Sequence, residues 1–337
     1  MRGTRPNGRS LGLSLVELLV AIAIGLLVVA GVVQVYVSAK QAYRATEALA
    51  RVQEAGRFAI SALVRDIRMA GYAGCPTPGS GNITNIADLD GDGNPDPGYD
   101  LTPSNAISVQ DEVTSGPAVP GTDTITIRYA SSEMVPVVST GNAASTAEVK
   151  IAANPYGWSA GDVIVVTDCE RADIFGATTV SSGVGVVTIA IAAANNTQPR
   201  LSKDYGTRAL AMRVLSRTYY VGNTGRTDTS GQPIYALYRQ DGGAPPVELV
   251  EGVQGMEISV ALDTDGDGTA DTRSNTPGAV PADQIVAVTV NLWVQSLLDH
   301  VVESPRSFSV GSETVNPSDN RLHLVFTATA GLRNRLP

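Results

Sequence analysis

Two aspartate-rich stretches carry the clearest chemistry in this 337-residue chain. The first reads Asp88-Leu-Asp90-Gly-Asp92-Gly-Asn94-Pro-Asp96, and the second Asp263-Thr-Asp265-Gly-Asp267-Gly-Thr269-Ala-Asp271. Carboxylates at alternate positions, a turn-forming glycine and then a backbone carbonyl are what a loop wrapped around Ca²⁺ supplies. In the second stretch the expected donors are Asp263, Asp265, Asp267 and the Thr269 carbonyl. The twelfth position is Ser274 rather than a bidentate glutamate, so Asp271 is expected to serve instead. The first stretch offers Asp88, Asp90, Asp92 and Asp96, with Tyr99 in twelfth place. Asp and Gly also build ordinary solvated turns. Carboxylates packed this densely repel one another without a cation, however, and Ca²⁺ is the cofactor the spacing suggests.

Other chemistry is poorly supplied. The two histidines, His300 and His323, lie in no nucleophile or metal motif, and no serine sits in a G-x-S-x-G elbow. Phosphate-binding and dinucleotide glycine patterns are missing too, so no enzyme is expected. Trp158 and Trp293 read as core or sheet-face residues. The net charge of −9 argues against a nucleic-acid partner. Two cysteines, Cys75 and Cys169, are too few for a zinc site. They suit either one disulfide in an oxidising compartment or two buried thiols.

The remaining residue of interest is Glu17, an acid at the edge of an apolar run with no polar side chain from Leu18 to Val33. A helix from Leu13 to Val37 would extend roughly 37 Å, enough to cross a bilayer. A lone carboxylate in such a segment is costly and usually functional. Leu49, Val52, Gly56, Ile60, Leu63 and Ile67 then recur on one face, so the apolar run is expected to pass unbroken into an amphipathic helix reaching Ala70. Residues 76–122 read as a long loop-rich insertion. Beyond them, strands are expected at Thr124–Tyr129, Asp162–Thr167, Val184–Ile191, Arg217–Val221, Ile234–Arg239, Met256–Leu262, Gln284–Val294 and Leu322–Ala328.

Gly12-Leu13-Ser14-Leu15-Val16-Glu17 resembles the type IV prepilin signature: a basic leader ending in Gly, an apolar first mature residue, and Glu at its fifth position. Leu13 stands where most members carry Phe. The stretch from Gly56 to Cys75, with its RDIRMAGY run, resembles PilW-family minor pilins, as does Val166–Phe175 around the second cysteine. Glu248–Val253 and the C-terminal segment from Arg321 are similar as well.

The resemblance implies an α+β, type IV pilin-like fold, a long N-terminal helix packed on a mainly antiparallel β-sheet domain. It divides the chain into a leader (1–12), a transmembrane or filament-core helix (13–37), an amphipathic continuation (38–74) and a β-rich domain (75–337). It further implies cleavage between Gly12 and Leu13 by prepilin peptidase, methylation of Leu13, an assembly role for Glu17, and a Cys75–Cys169 disulfide. The implied partners are other minor pilins and the major pilin. The implied location is the inner membrane, with the C-terminal domain in the periplasm, and then the pilus. A J-type pseudopilin of a type II secretion system shares the leader and helix, and a pilus-anchored, calcium-dependent adhesive module is a third reading.

Overall fold

In the computed structural model, residues 14–75, 81–140 and 147–334 are described. The leader and the Gly12–Leu13 junction lie outside the described residues. The long helix expected from the apolar and amphipathic runs is present as α1 (Leu15–Ile67), 53 residues without a break and roughly 80 Å long at ~1.5 Å per residue. No proline interrupts it. Its start is fixed by Ser14, and its last turn gives way to Gly71 in the left-handed region (φ 72°). The side chain of Asn334 donates to the carbonyl of Ala70 at 2.9 Å and to that of Met69 at 3.3 Å, giving partners to the carbonyls that follow the helix end.

From Leu15 to Val37 every residue of α1 is exposed; from Ala48 onward one face is buried against the domain. That face differs slightly from the expected one. Ala48, Val52, Gly56, Ala59 and Leu63 are buried, while Leu49 turns outward and Ile60 is only half-buried. Small side chains let the sheet approach closely. Phe326 lies directly over Gly56, in the space that a Cβ would need.

Eighteen strands follow among the described residues. β1 (Ile83–Asn85) and β2 (Ile107–Gln110) are the only strands among the described residues of the loop-rich stretch. Then come β3 (Thr124–Ala130), β4 (Val135–Ser139), β5 (Glu148–Ile151), β6 (Val163–Thr167) and β7 (Ala172–Gly176). β8 (Thr179–Gly183) and β9 (Val186–Ala190) form a hairpin, followed by the 18-residue β10 (Leu210–Thr227). The C-terminal part holds β11 (Pro233–Asp241), β12 (Val247–Glu251), β13 (Val253–Leu262), β14 (Thr272–Ser274) and β15 (Ile285–Gln295). A small hairpin, β16 (Phe308–Val310) and β17 (Glu313–Val315), precedes β18 (His323–Gly331).

Two sheets organise the domain. The four-stranded sheet runs β14-β13-β15-β18, all antiparallel, and packs on α1 through Leu63, Ile67, Leu292 and Phe326. The twelve-stranded sheet branches at β10. The first residues of β10 pair with β6 and β4, and its later ones pair with β3 and β11. Only Arg217–Val221 of this strand is expected from sequence; Gly222–Thr227 carries no alternating apolar pattern. The architecture is α+β and mainly antiparallel, with one parallel pair, β1–β7, among the described residues.

Candidate functional site

At the start of α1, Ser14 and Glu17 form a reciprocal cap. The Glu17 N–H donates to Ser14 Oγ at 3.1 Å, and the Ser14 N–H donates to Glu17 Oε2 at 2.9 Å. Two otherwise orphaned helix donors are satisfied in this way. The S-x-x-E spacing was visible in the sequence and identifies this local role. Glu17 is thus held at the mouth of its own helix, on an exposed apolar rod.

The two acidic loops prove to be one device built twice. In the first, Asp88 accepts from the N–H groups of Gly91 and Gly93, Asp90 from Asp92, and Asp92 from Asn94. In the second, Asp263 accepts from Gly266 and Gly268, Asp265 from Asp267, and Asp267 from Thr269. Each is closed by the N–H of its ninth residue: Asp96 to the Ala87 carbonyl at 2.7 Å, Asp271 to the Leu262 carbonyl at 2.8 Å. The glycines at the fourth and sixth positions of both lie at φ 73–85°, a turn that a side chain would strain. In each loop the first three aspartates bring a carboxylate oxygen within 4.8 Å of one another.

The closure also settles which residues belong to each loop. Ser274 is a strand residue paired with Val260, and Tyr99 ends a short 3₁₀ turn, Pro97–Tyr99. Each closed loop thus spans nine residues rather than twelve. Asp271 spends one oxygen on Thr264, at 2.7 Å from its N–H, and Asp96 caps the Gly98 N–H at 2.8 Å. Neither ninth-position aspartate joins the three-carboxylate group. The N–H of Gly268 holds the Asp263 carboxyl below its ordinary range, and that of Thr264 does the same for Asp271. Both stay ionised at neutral pH. Oxygen-only donor sets of this kind suit a hard cation such as Ca²⁺.

Cys75 and Cys169 are joined, with Cα atoms 4.3 Å apart and 94 residues of sequence separation. The bond ties the end of α1 to the β6–β7 turn. Closing a loop of this length stabilises by roughly 4–5 kcal/mol in the chain-entropy model.

A buried polar cluster that sequence reasoning missed lies where the last turn of α1 meets the sheet. Asp66 is almost fully buried. It accepts from the Tyr129 hydroxyl at 2.9 Å, from the Tyr219 hydroxyl at 2.6 Å, and from Arg217 Nη1 at 3.2 and 3.0 Å. Burial, together with the Asp66 charge, pushes both phenols up, so they remain donors. Arg217 Nε lies 3.2 Å from Asp241, close enough for an ion pair but without hydrogen-bond alignment. Removing one partner of such a set costs about 3–5 kcal/mol, because it strands the other. An aspartate on the otherwise apolar face of an amphipathic helix was the available signal.

A second acidic group gathers under the β16–β17 hairpin. Asp123 is wholly buried and accepts from the N–H groups of Glu112 and Ile258 at 2.9 and 2.7 Å. Burial pushes it up to about 6. The neighbouring Glu257 is pushed up to about 8, first by burial and then by Asp123, Glu313, Asp111 and Glu112.

Where α1 enters the domain, a groove of about 1470 Å³ runs between its Ala48–Ser61 portion and the segments around Leu249 and Leu298. Phe58 and Leu298 stand exposed beside it. His300 is exposed, whereas His323 is fixed between Trp293 and Asp319.

The family model of type IV pilus-assembly protein W matches residues 218–334, from the second half of β10 through β18. Glu248–Val253 and the segment from Arg321, two of the stretches that carry the resemblance, lie within this match, whereas Gly56–Cys75 and Val166–Phe175 lie outside it. The match does not reach Glu17. No curated protein and no solved structure matches the chain.

Proposed function

We propose that the chain is a minor pilin, a structural subunit that enters type IV pili through α1 rather than by catalysis. The observation that carries this reading is the exposure of every residue from Leu15 to Val37 on a helix whose later turns are buried in a β domain. That segment is long and apolar enough to cross a membrane. It would be held first in the inner membrane and later among the helices of other minor pilins and the major pilin, priming assembly or standing at the tip. The disulfide suits a periplasmic domain. The groove beside Phe58 lies farther along the same helix, at the domain, and is a surface that a neighbouring subunit would fill. The match to a pilus-assembly family favours this reading over a pseudopilin.

Cleavage by prepilin peptidase between Gly12 and Leu13 would leave a methylated Leu13 ammonium one residue before Ser14. Glu17, already turned toward that end of the helix, would exchange its Ser14 partner for the ammonium of an adjacent subunit. A carboxylate left unpaired in such an interior is heavily penalised, which makes Glu17 a register device. In a host lacking its own copy, wild-type chain should restore pili, whereas Glu17→Ala should be processed normally and yield few or none. Full piliation by the variant would refute the register role.

The twin loops would hold Ca²⁺ through Asp263, Asp265, Asp267 and the Thr269 carbonyl, and through Asp88, Asp90 and Asp92, with Asp271 and Asp96 available from ninth position. The ion would offset their mutual repulsion and stiffen each turn. Millimolar Ca²⁺ should raise the melting temperature of the chain, and Asp265→Ala with Asp267→Ala should remove part of the gain. An unchanged melting temperature on adding Ca²⁺ would sink this assignment.

A further inference from the structure

The face of the four-stranded sheet that points away from α1 carries the β16–β17 hairpin. Side chains alternate along β13 and β15. Ile258, Val290 and Leu292 enter the core shared with α1, whereas Glu257, Asn291 and Trp293 belong to the other face. The hairpin lies on these last three. Phe308 meets the Trp293 ring edge-on at 5.4 Å between centroids and stacks on His323 at 5.6 Å. Val310 is buried. At the turn, a Cβ on Gly311 would lie 3.3 Å from Asn291 Nδ2 and 3.6 Å from Glu257 Cβ. Among the described residues β16 and β17 pair only with each other, and a lone two-stranded hairpin is marginal in water. Side-chain packing on the face therefore holds it in place.

Glu257 is the weak point beneath it. The leading charges that act on its carboxyl are all acids: Asp123 at the entry to β3, Glu313 on β17, and Asp111 and Glu112 in the turn after β2. With burial, they push Glu257 up to about 8, so at neutral pH it lies protonated under the hairpin. Once ionised, it needs water and meets the exposed charge of Glu313. Asp123 is fixed by the N–H groups of Glu112 and Ile258 and cannot retreat. Glu313 can, because its hairpin is attached by packing alone. The closed arrangement is thus favoured below about pH 8 and lost as pH rises through it. His323 is the other titratable group under the hairpin, with Nδ1 accepting from the Trp293 indole N–H at 3.0 Å and Nε2 2.8 Å from Asp319.

We propose that the β16–β17 hairpin is a pH-operated strap: ionisation of Glu257 drives it off the sheet and bares the face around Trp293. The strap belongs to the domain and does not depend on the role of α1. Acrylamide quenching of tryptophan fluorescence reads it in the full chain in detergent, between about pH 7 and pH 9, on either side of the Glu257 midpoint. Trp158, buried in a separate core, supplies a constant background. The quenching constant should rise with a midpoint of about pH 8, while far-ultraviolet circular dichroism stays level. Glu257→Gln removes the ionisation and should abolish the rise, which separates it from any titration of His323. Glu313→Gln, at an exposed position, should shrink it. A flat wild-type profile, an equal rise in Glu257→Gln, or a rise accompanied by loss of circular dichroism would overturn the proposal. Should Glu257→Gln fail to fold, Glu313→Gln decides, an undiminished rise counting against the strap.

Discussion

At the scale of single residues, charge placement governs this molecule. Glu17 and Asp66 sit near opposite ends of the same helix and face opposite problems. Glu17 is exposed and served by its own backbone, whereas Asp66 is buried and needs two phenols and a guanidinium from β3 and β10. The glutamate could be singled out from sequence because it interrupts an apolar run. Asp66 breaks an apolar face in the same way, but its partners are 63 to 153 residues away and only the fold unites them. Glu257 belongs to the same unreadable class. Its folded-state pKa of about 8 stands above the ordinary 4.5, so the native chain holds a proton that the unfolded chain releases between those values. Stability from this group is therefore greatest below pH 4.5 and is lost as pH rises toward about 8. Asp123, raised to about 6, adds in the same direction. Melting temperature should fall across this window, and Glu257→Gln should flatten the slope. An equal slope in the variant would remove Glu257 as its source.

At the scale of elements, α1 was legible nearly to its ends because apolar periodicity, the lack of proline and the terminal glycines all agree. The face it buries was legible only to within a fraction of a turn. Alanine and glycine carry little hydrophobic signal, yet Ala48, Gly56 and Ala59 form the contact because they let the sheet come close. Several strands escaped for a different reason. β1, β14, β16 and β17 have three residues each, too few to show a period, and their places are set by pairing partners. The Gly56–Phe326 contact turns this into a measurable claim. Gly56→Ala gains about 1 kcal/mol of helix propensity. It also forces a methyl group into the Phe326 ring, an overpacking worth about 1–3 kcal/mol. Net destabilisation is expected in denaturant unfolding, with recovery in the double variant that adds Phe326→Leu. A Gly56→Ala chain more stable than wild type would show that the ring yields freely.

At the scale of the whole molecule, one rod is divided between two environments. Its second half is joined to the β domain by the apolar core, the Asp66 cluster and the Cys75–Cys169 bond. The first half is left bare. The acidic loops lie in the domain rather than on the rod. Both loops were legible as motifs, because aspartates at alternate positions with glycines are a local pattern. Their nine-residue closure was not, since it depends on the strand and turn that follow. The central claim is that this rod is that of a processed pilin, and the intact mass and first residue of the mature protein test it most directly. A chain beginning at methylated Leu13 is the predicted result, and a mature chain beginning at Met1 would contradict it.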